Sequence, residues 1–468
     1  MPLVLGGSSV VAEAYSIDNS CRFNAASSAY MSKTFGTPTT QNKWTLSAWV
    51  KRGDLTYNQD IFAVPVGTSG GYFHTGLQWN GSNQLECNVN YTGSVQSKLM
   101  PTALFRDVSA WYHLVTVYDS AATEADRVIL YINGTRETGP WGTETLPSLN
   151  FASQINQAIE HRVGDGANGD VDGYIAEMVF CDGQAYAASD FGEFDSASPT
   201  VWKPKDPSEL TFGDNGFWLD FEDSADLGAD VSGNSNDFAL TNLAAIDQST
   251  DSPTNNFATA NPLMSNAEGF AEGNLHVTDR ASTDASYGAC SSMGVRKGKW
   301  YMEFYMVSTG SSVNLGAMPE TSSMTTAGDY QYQLNNFQYR STDGWKFIGN
   351  GSGDDGGSSY GATYTAGDII SVALDMDNQD IYFYKNGTIQ DSGTAAFTSS
   401  DFVDDTFYFF YQAGYNTGIV EYNFGNPIRT ISSGNADANG YGNFEYAVPS
   451  GYYALCTKNL GELSLIHI

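Results

Sequence analysis

Clustered oxygen donors are the first chemistry this chain offers. Asp165, Asp170 and Asp172 crowd one loop, and Asp230-Val-Ser-Gly-Asn-Ser-Asn-Asp237 sets more carboxylates and amides at short spacing. Calcium takes about six to eight hard oxygens from such groups, so either loop is a candidate cation site. The competing reading is that Asp, Asn and Gly are good turn formers. Aromatic side chains near loops, namely Tyr72, Trp79, Trp141, Trp345 and Tyr360, are candidates for stacking on sugar faces. Trp44, Trp49 and Trp111 fall in strand patterns and point to a core instead.

Catalytic patterns are poor by comparison. Gly164-Asp-Gly-Ala-Asn-Gly169 and Gly351-Ser-Gly-Asp-Asp-Gly356 fit G-x-G-x-x-G, but a dinucleotide site needs that loop to open a helix. The first leads into a strand, and both carry carboxylates that repel phosphate. Gly67-Thr-Ser-Gly-Gly71 fits G-x-S-x-G without the strand-turn-helix elbow around it. No His-Glu-x-x-His pair is present.

The elements that must position these groups are strands. Arg127-Val-Ile-Leu-Tyr-Ile-Asn133-Gly134 and Asp380-Ile-Tyr-Phe-Tyr-Lys-Asn386-Gly387 are β-branched and aromatic runs ending in Asn-Gly, the preferred pair of a type I′ hairpin turn. Each follows another strand-like run, Trp111–Tyr118 and Asp368–Leu374. With 468 residues, two or three domains are expected. The pattern predicts an all-β chain of two tandem antiparallel β-sandwiches, over 1–200 and 263–430. A polar connector, 201–262, lies between them, with one strand-like run, Gly216–Phe221, that could join the first sandwich or pack between domains, and a C-terminal tail, 431–468, follows. The last six residues, Leu463–Ile468, read like a translated sequencing adapter and are set aside from the fold.

A formal charge of −32 argues against nucleic acid and anionic membrane surfaces as partners. Five scattered Cys without C-x-x-C spacing suggest buried free thiols rather than a disulfide framework or zinc. The N-terminus lacks a basic region, so no signal peptide is expected, and no run approaches a membrane span.

Asn19-Ser-Cys-Arg-Phe-Asn24, Trp44-Thr-Leu-Ser-Ala-Trp-Val50, Trp111-Tyr-His-Leu-Val115, the Tyr-Ile-Asn-Gly hairpin and Asp172-Gly-Tyr-Ile-Ala-Glu177 resemble laminin-G-type, concanavalin A-like jelly rolls. More narrowly they resemble those in structural proteins of marine bacteriophages. Such proteins also carry segments like Met1–Ser8, Phe191–Asp195, Val201–Lys205 and Asp230–Asp237. Lys297-Gly-Lys-Trp-Tyr-Met-Glu-Phe304, Gly367–Asp377, the Lys-Asn-Gly hairpin and Tyr422-Asn-Phe-Gly425 resemble a SPRY-type β-sandwich, a binding module.

The resemblance implies a non-enzymatic virion protein, a tail fibre or capsid decoration, made in the host cytoplasm. Its implied partners are host-surface carbohydrate and other virion proteins, with display as a homo-oligomer such as a trimer. It also favours calcium at the first Asp loop. A secreted, extracellular surface lectin is one alternative, and a glycoside hydrolase on the same fold is another. Retaining hydrolysis needs two carboxylates about 5–5.5 Å apart, which related hydrolases supply as Glu-x-Asp-x-x-Glu. In Glu193-Phe-Asp-Ser-Ala-Ser198 the final position is Ser198.

Overall fold

The computed structural model describes residues 15–65, 75–91, 94–166, 168–282, 285–322, 333–351 and 356–465. Tyr72, the Gly67–Gly71 pattern and residues 466–468 lie outside them. The described chain is strands, short 3-10 turns and one terminal helix, Thr457–Leu465.

Strand Lys43–Arg52 shows why the first sandwich forms. Trp44, Leu46, Ala48 and Val50 enter one core while Trp49 joins a cluster on the opposite face, the two-residue period of a pleated strand. It lies mid-sheet in the order Thr135–Arg136, Val128–Ile132, Trp111–Asp119, Lys43–Arg52, Gly173–Asp182, Ser20–Phe23, Gln248–Ser249, with Phe217–Leu219 also pairing Gly173–Asp182. The facing sheet runs Trp141–Thr145, Ser94–Pro101, Leu85–Tyr91, Gly76–Trp79, Gln59–Ala63, Glu160–Val163, Tyr30–Thr34, Ala239–Thr241. All pairings are antiparallel.

The connector over 201–262 packs on both sandwiches. Phe217, Leu219 and Phe238 belong to the first core, and Phe257 and Ala258 are buried with the second sandwich. That second sandwich pairs a sheet centred on Tyr408–Tyr415 and Ser312–Pro319 with one centred on Lys299–Ser308 and Ile369–Asp375. The tail also belongs to it: Tyr453–Ala454 pairs in parallel with Lys299–Ser308, and Phe444, Tyr452 and Cys456 are buried there.

Both Asn-Gly turns form with positive φ, Asn133 at 47° and Gly134 at 77°, Asn386 at 48° and Gly387 at 75°. Each Asn also grips the neighbouring strand. Asn133 N donates to His113 O and His113 N donates to Asn133 Oδ1, both at 2.8 Å. Asn386 makes the same pair with Ile369, again at 2.8 Å twice. A later aromatic then seats on each Gly, where a Cβ would meet Trp202 at 2.2 Å and Tyr446 at 2.5 Å.

The two sandwiches meet through buried charge. Lys51 Nζ bonds Asp251 Oδ2 at 2.7 Å, Asn256 Oδ1 at 2.7 Å and Phe257 O at 2.9 Å, and neither Lys51 nor Asp251 has any exposed surface. Trp111 Nε1 donates to Asp251 Oδ1 at 3.1 Å. Beside them Arg22 bonds Asp247 and Glu272 at 3.1 and 2.9 Å, and Tyr174 donates to Gly273 O at 3.1 Å. The five cysteines are free and buried.

Candidate functional site

The outer face of the Gly76–Trp79 sheet carries a connected polar network. Leu77, Trp79, Leu85, Cys87 and Leu99 point into the core, so Gln78, Glu86 and Lys98 between them point outward. Glu86 is the hub. It accepts from Gln78 at 2.9 Å, Asn80 at 2.9 Å and Asn88 at 3.2 Å, and pairs with Lys98 at 3.0 Å. Burial opposes its charge, but the bonds from Asn80, Lys98 and Gln78 outweigh that and hold its carboxyl below the usual range.

Next to it, Asn168 ties the loop to the sheet: its N donates to Asp60 Oδ2 at 2.9 Å and its amide to Gln78 Oε1 at 3.1 Å. Arg162 bridges Glu160 and Asp165 and lies 4.5 Å over the Tyr30 ring. Gln78, Glu86 and Asn88 form a buried floor, while Tyr30, Asn80, Lys98, Arg162, Asn168 and Asp170 keep exposed surface at the rim. A rim held by a satisfied floor is pre-organised to exchange hydrogen bonds with a polyhydroxyl ligand.

The Asp loop divides across this face. Asp170 has a raised pKa, from burial first and then from its hydrogen bond with Asp165, with Asp60 adding repulsion. Asp172, expected as the third ligand, leaves this group. Its carbonyl accepts from Gly53 N at 2.8 Å as the chain crosses to the other sheet. Its carboxyl, pushed up to about 7 by burial and by Asp54 and Glu272, faces the junction. Among the described residues no cluster of three His, Cys, Asp or Glu is arranged to hold a metal.

Residues 25–186 match the family model of the concanavalin A-like lectin/glucanases superfamily, and residues 299–427 match the SPRY domain. A laminin-G-type domain is followed by a SPRY domain. Similar solved structures include the SPRY domain of human HERC1, 21% identical over 35% of this chain and 96% of that one, TM-score 0.27. Another human SPRY domain is 16% identical over 36% and 98%, TM-score 0.24. A Bacteroides ovatus protein named for carbohydrate binding is 17% identical over 49% and 61%, TM-score 0.33. No curated protein matches the chain.

The expected aromatic set is only partly at the surface. In the laminin-G-type domain Trp79 has no exposed surface. It packs 5.1 Å from Phe105 under Arg52, because it shares the inward phase of Leu77. Trp141, half-buried on an edge strand, leans on the core and lines a groove of about 300 Å³. In the SPRY domain Tyr360 is buried against Tyr339 and Phe383, its hydroxyl donating to Thr394 O at 3.3 Å. Trp345 is 39% exposed. Sequence reasoning missed Gln78, Glu86, Asn88 and Asn168, although the Leu77-Gln78-Trp79 and Leu85-Glu86-Cys87 alternation carried the signal.

Proposed function

We propose that this is a carbohydrate-binding protein that holds glycan on the outer face of the Gly76–Trp79 sheet and does not cleave it. The observation that carries the reading is the buried Gln78–Glu86–Asn88 floor beneath a half-exposed polar rim, in a laminin-G-type domain. A hydrolase needs a carboxyl kept protonated near neutral pH as general acid. Glu86 is held ionised instead, and Glu193 lies exposed on the two-stranded Gly192–Phe194 ribbon, where Asp195 pairs with Lys203. Asp165 and Asp170 fit a weak oxygen-donor calcium site at the rim, with Arg162 already offsetting part of their charge.

Within this reading the motifs of the phage-like resemblance favour display on a virion as an adhesion or decoration protein. Many copies there would turn weak single sites into useful avidity. Titration calorimetry against neutral marine glucans tests the site: Asn168→Ala and Arg162→Ala should each weaken binding about tenfold with the melting temperature held. Reducing sugar released from laminarin and lost on Glu193→Gln would replace the reading with an enzyme.

A further inference from the structure

A second place on the molecule has the chemistry of a ligand site, on the opposite side of the first sandwich from the polar face. A groove of about 780 Å³ opens where the N-terminal part of the laminin-G-type domain, the connector and the C-terminal helix meet. Its walls include Tyr15, Trp202, Asp18, Thr254, Lys203 and Lys458.

Both aromatic walls are fixed from behind. Tyr15 OH donates to Glu177 Oε1 at 2.7 Å. Glu177 is buried at a bulge in the Gly173–Asp182 strand, with a left-handed φ of 46° that a side chain adopts only under strain. Trp202 Nε1 donates to His113 Nδ1 at 2.9 Å, and His113 Nε2 contacts Ser47 Oγ at 2.9 Å. Burial pushes His113 down to about 3, so the imidazole stays neutral and keeps one tautomer. Thr254 Oγ1 is set by its bond to Ile17 O at 2.6 Å. Strain and buried polar partners spent on orienting half-buried rings are the mark of a pre-organised site.

The groove is far less acidic than the molecule, with two lysines and one carboxylate, Asp18, among its walls. In a chain of net charge −32, Lys203 and Lys458 line it from the connector and from the helix. Lys203 pairs with Asp195 at 2.8 Å, and Lys458 Nζ lies 5.6 Å over Tyr441 with no ion pair among the described residues. We infer that this groove binds an acidic saccharide, its ring face on Tyr15 and Trp202 and its carboxylate or sulfate between Lys203 and Lys458. The inference rests on the carbohydrate-binding reading for its ligand class, but uses none of the residues of the polar face. Its position means that both domains contribute to one site.

Oligogalacturonate and neutral laminari-oligosaccharides, titrated separately into the full chain, test it. Oligogalacturonate binding should fall as salt rises, since exposed charge pairs are screened. The double variant Lys203→Gln/Lys458→Gln should weaken it at least tenfold while leaving neutral binding and the melting temperature unchanged. Tyr15→Phe, which keeps the ring and loses the Glu177 bond, should weaken it less. Oligogalacturonate binding that survives the double variant overturns the groove. Loss of acidic and neutral binding together on Asn168→Ala, with the double variant silent, places both ligands on the polar face and also overturns it. Failure of wild type to bind either sugar removes the general reading and this inference with it.

Discussion

In the first sandwich Asn133 grips His113 and Trp202 lies on Gly134; in the second Asn386 grips Ile369 and Tyr446 lies on Gly387. The lids are anchored differently. Trp202 sits on a strand paired through its backbone with Gly192–Phe194, donates one side-chain bond to His113, and leaves part of its surface in a groove. The tail bearing Tyr446 is held by its backbone, since Glu445 N and Tyr446 N donate to the buried Glu303 carboxylate at 2.9 and 2.8 Å. The same hairpin therefore seats a half-buried ring in each domain, and in the first that ring lines a groove.

The comparison holds only while the domains stay joined, and the junction gives the largest expected effect. Lys51→Met strands Asp251 as a buried uncompensated charge, which costs about 3–5 kcal/mol. Urea unfolding should show that loss, and Lys51→Met/Asp251→Leu should recover most of it. A loss below about 1 kcal/mol would mean that the pair is solvated and the junction open.

Breaking each hairpin in turn comes next. Gly134→Val and Gly387→Val place a branched side chain at positive φ and against a ring, for about 2–4 kcal/mol each. Calorimetry should assign each loss to its own domain. Adding Trp202→Ala should relieve part of the Gly134→Val loss by clearing the ring. Equal stability of Gly134→Val with and without Trp202 would end the lid argument.

Both hairpins were legible because the demand of Asn-Gly for positive φ is local, and both sandwiches followed from strand runs and spacing. The polar face was harder to see, because of the partners of Glu86 only Asn88 is on its own strand, while Gln78, Asn80 and Lys98 are brought in by pairing. Trp79 was legible in principle, from its phase with Leu77. Asp172 was not, since nothing local marks where the chain crosses between sheets after Asp170. Nor was Asp251, which reads as a turn former before Ser252-Pro253 yet lies buried on Lys51.

A pH experiment separates how the domains treat a buried carboxyl. Glu86 is surrounded by donors, whereas Asp279, wholly buried in the SPRY domain, accepts from Gln412 Nε2 at 2.9 Å and leaves Asp279 Oδ2 and Gln412 Oε1 without donors. Burial, opposed only by that bond, pushes Asp279 well above the usual range. One proton on Oδ2 would supply the missing donor. The folded state then holds a proton that the unfolded state releases, so stability is greatest below the unfolded pKa of about 4. It falls as pH rises toward the folded value, by up to about 1.4 kcal/mol per unit. Asp279→Asn should flatten the slope in the SPRY transition. Glu86→Gln should act oppositely in the first domain, removing stability present above the unfolded pKa and lost as pH falls. A slope unchanged by Asp279→Asn would mean that this carboxyl is ionised and paired.

The smallest expected effect is at the Asp165–Asp170 pair, and it tests whether the polar face takes a cation. Two carboxylates in hydrogen-bond contact need a proton or a cation between them, and Arg162 already neutralises Asp165, so any calcium taken up there should be held weakly. A ligand at about ten times its Kd stabilises by about 1.4 kcal/mol, so millimolar calcium against chelator should raise the first-domain melting temperature by only a few degrees. Because Asp170 is raised by burial and by Asp165, protons compete with the metal, and the shift should shrink from pH 8 to pH 5. Asp170→Asn should abolish it, and Asp172→Asn should not, because Asp172 faces the junction. If Asp172→Asn alone removes the calcium response, the two carboxylates act together and the division of the loop between the sheets is wrong. If calcium shifts nothing at any pH, Asp165 and Asp170 share a proton and the loop is a turn.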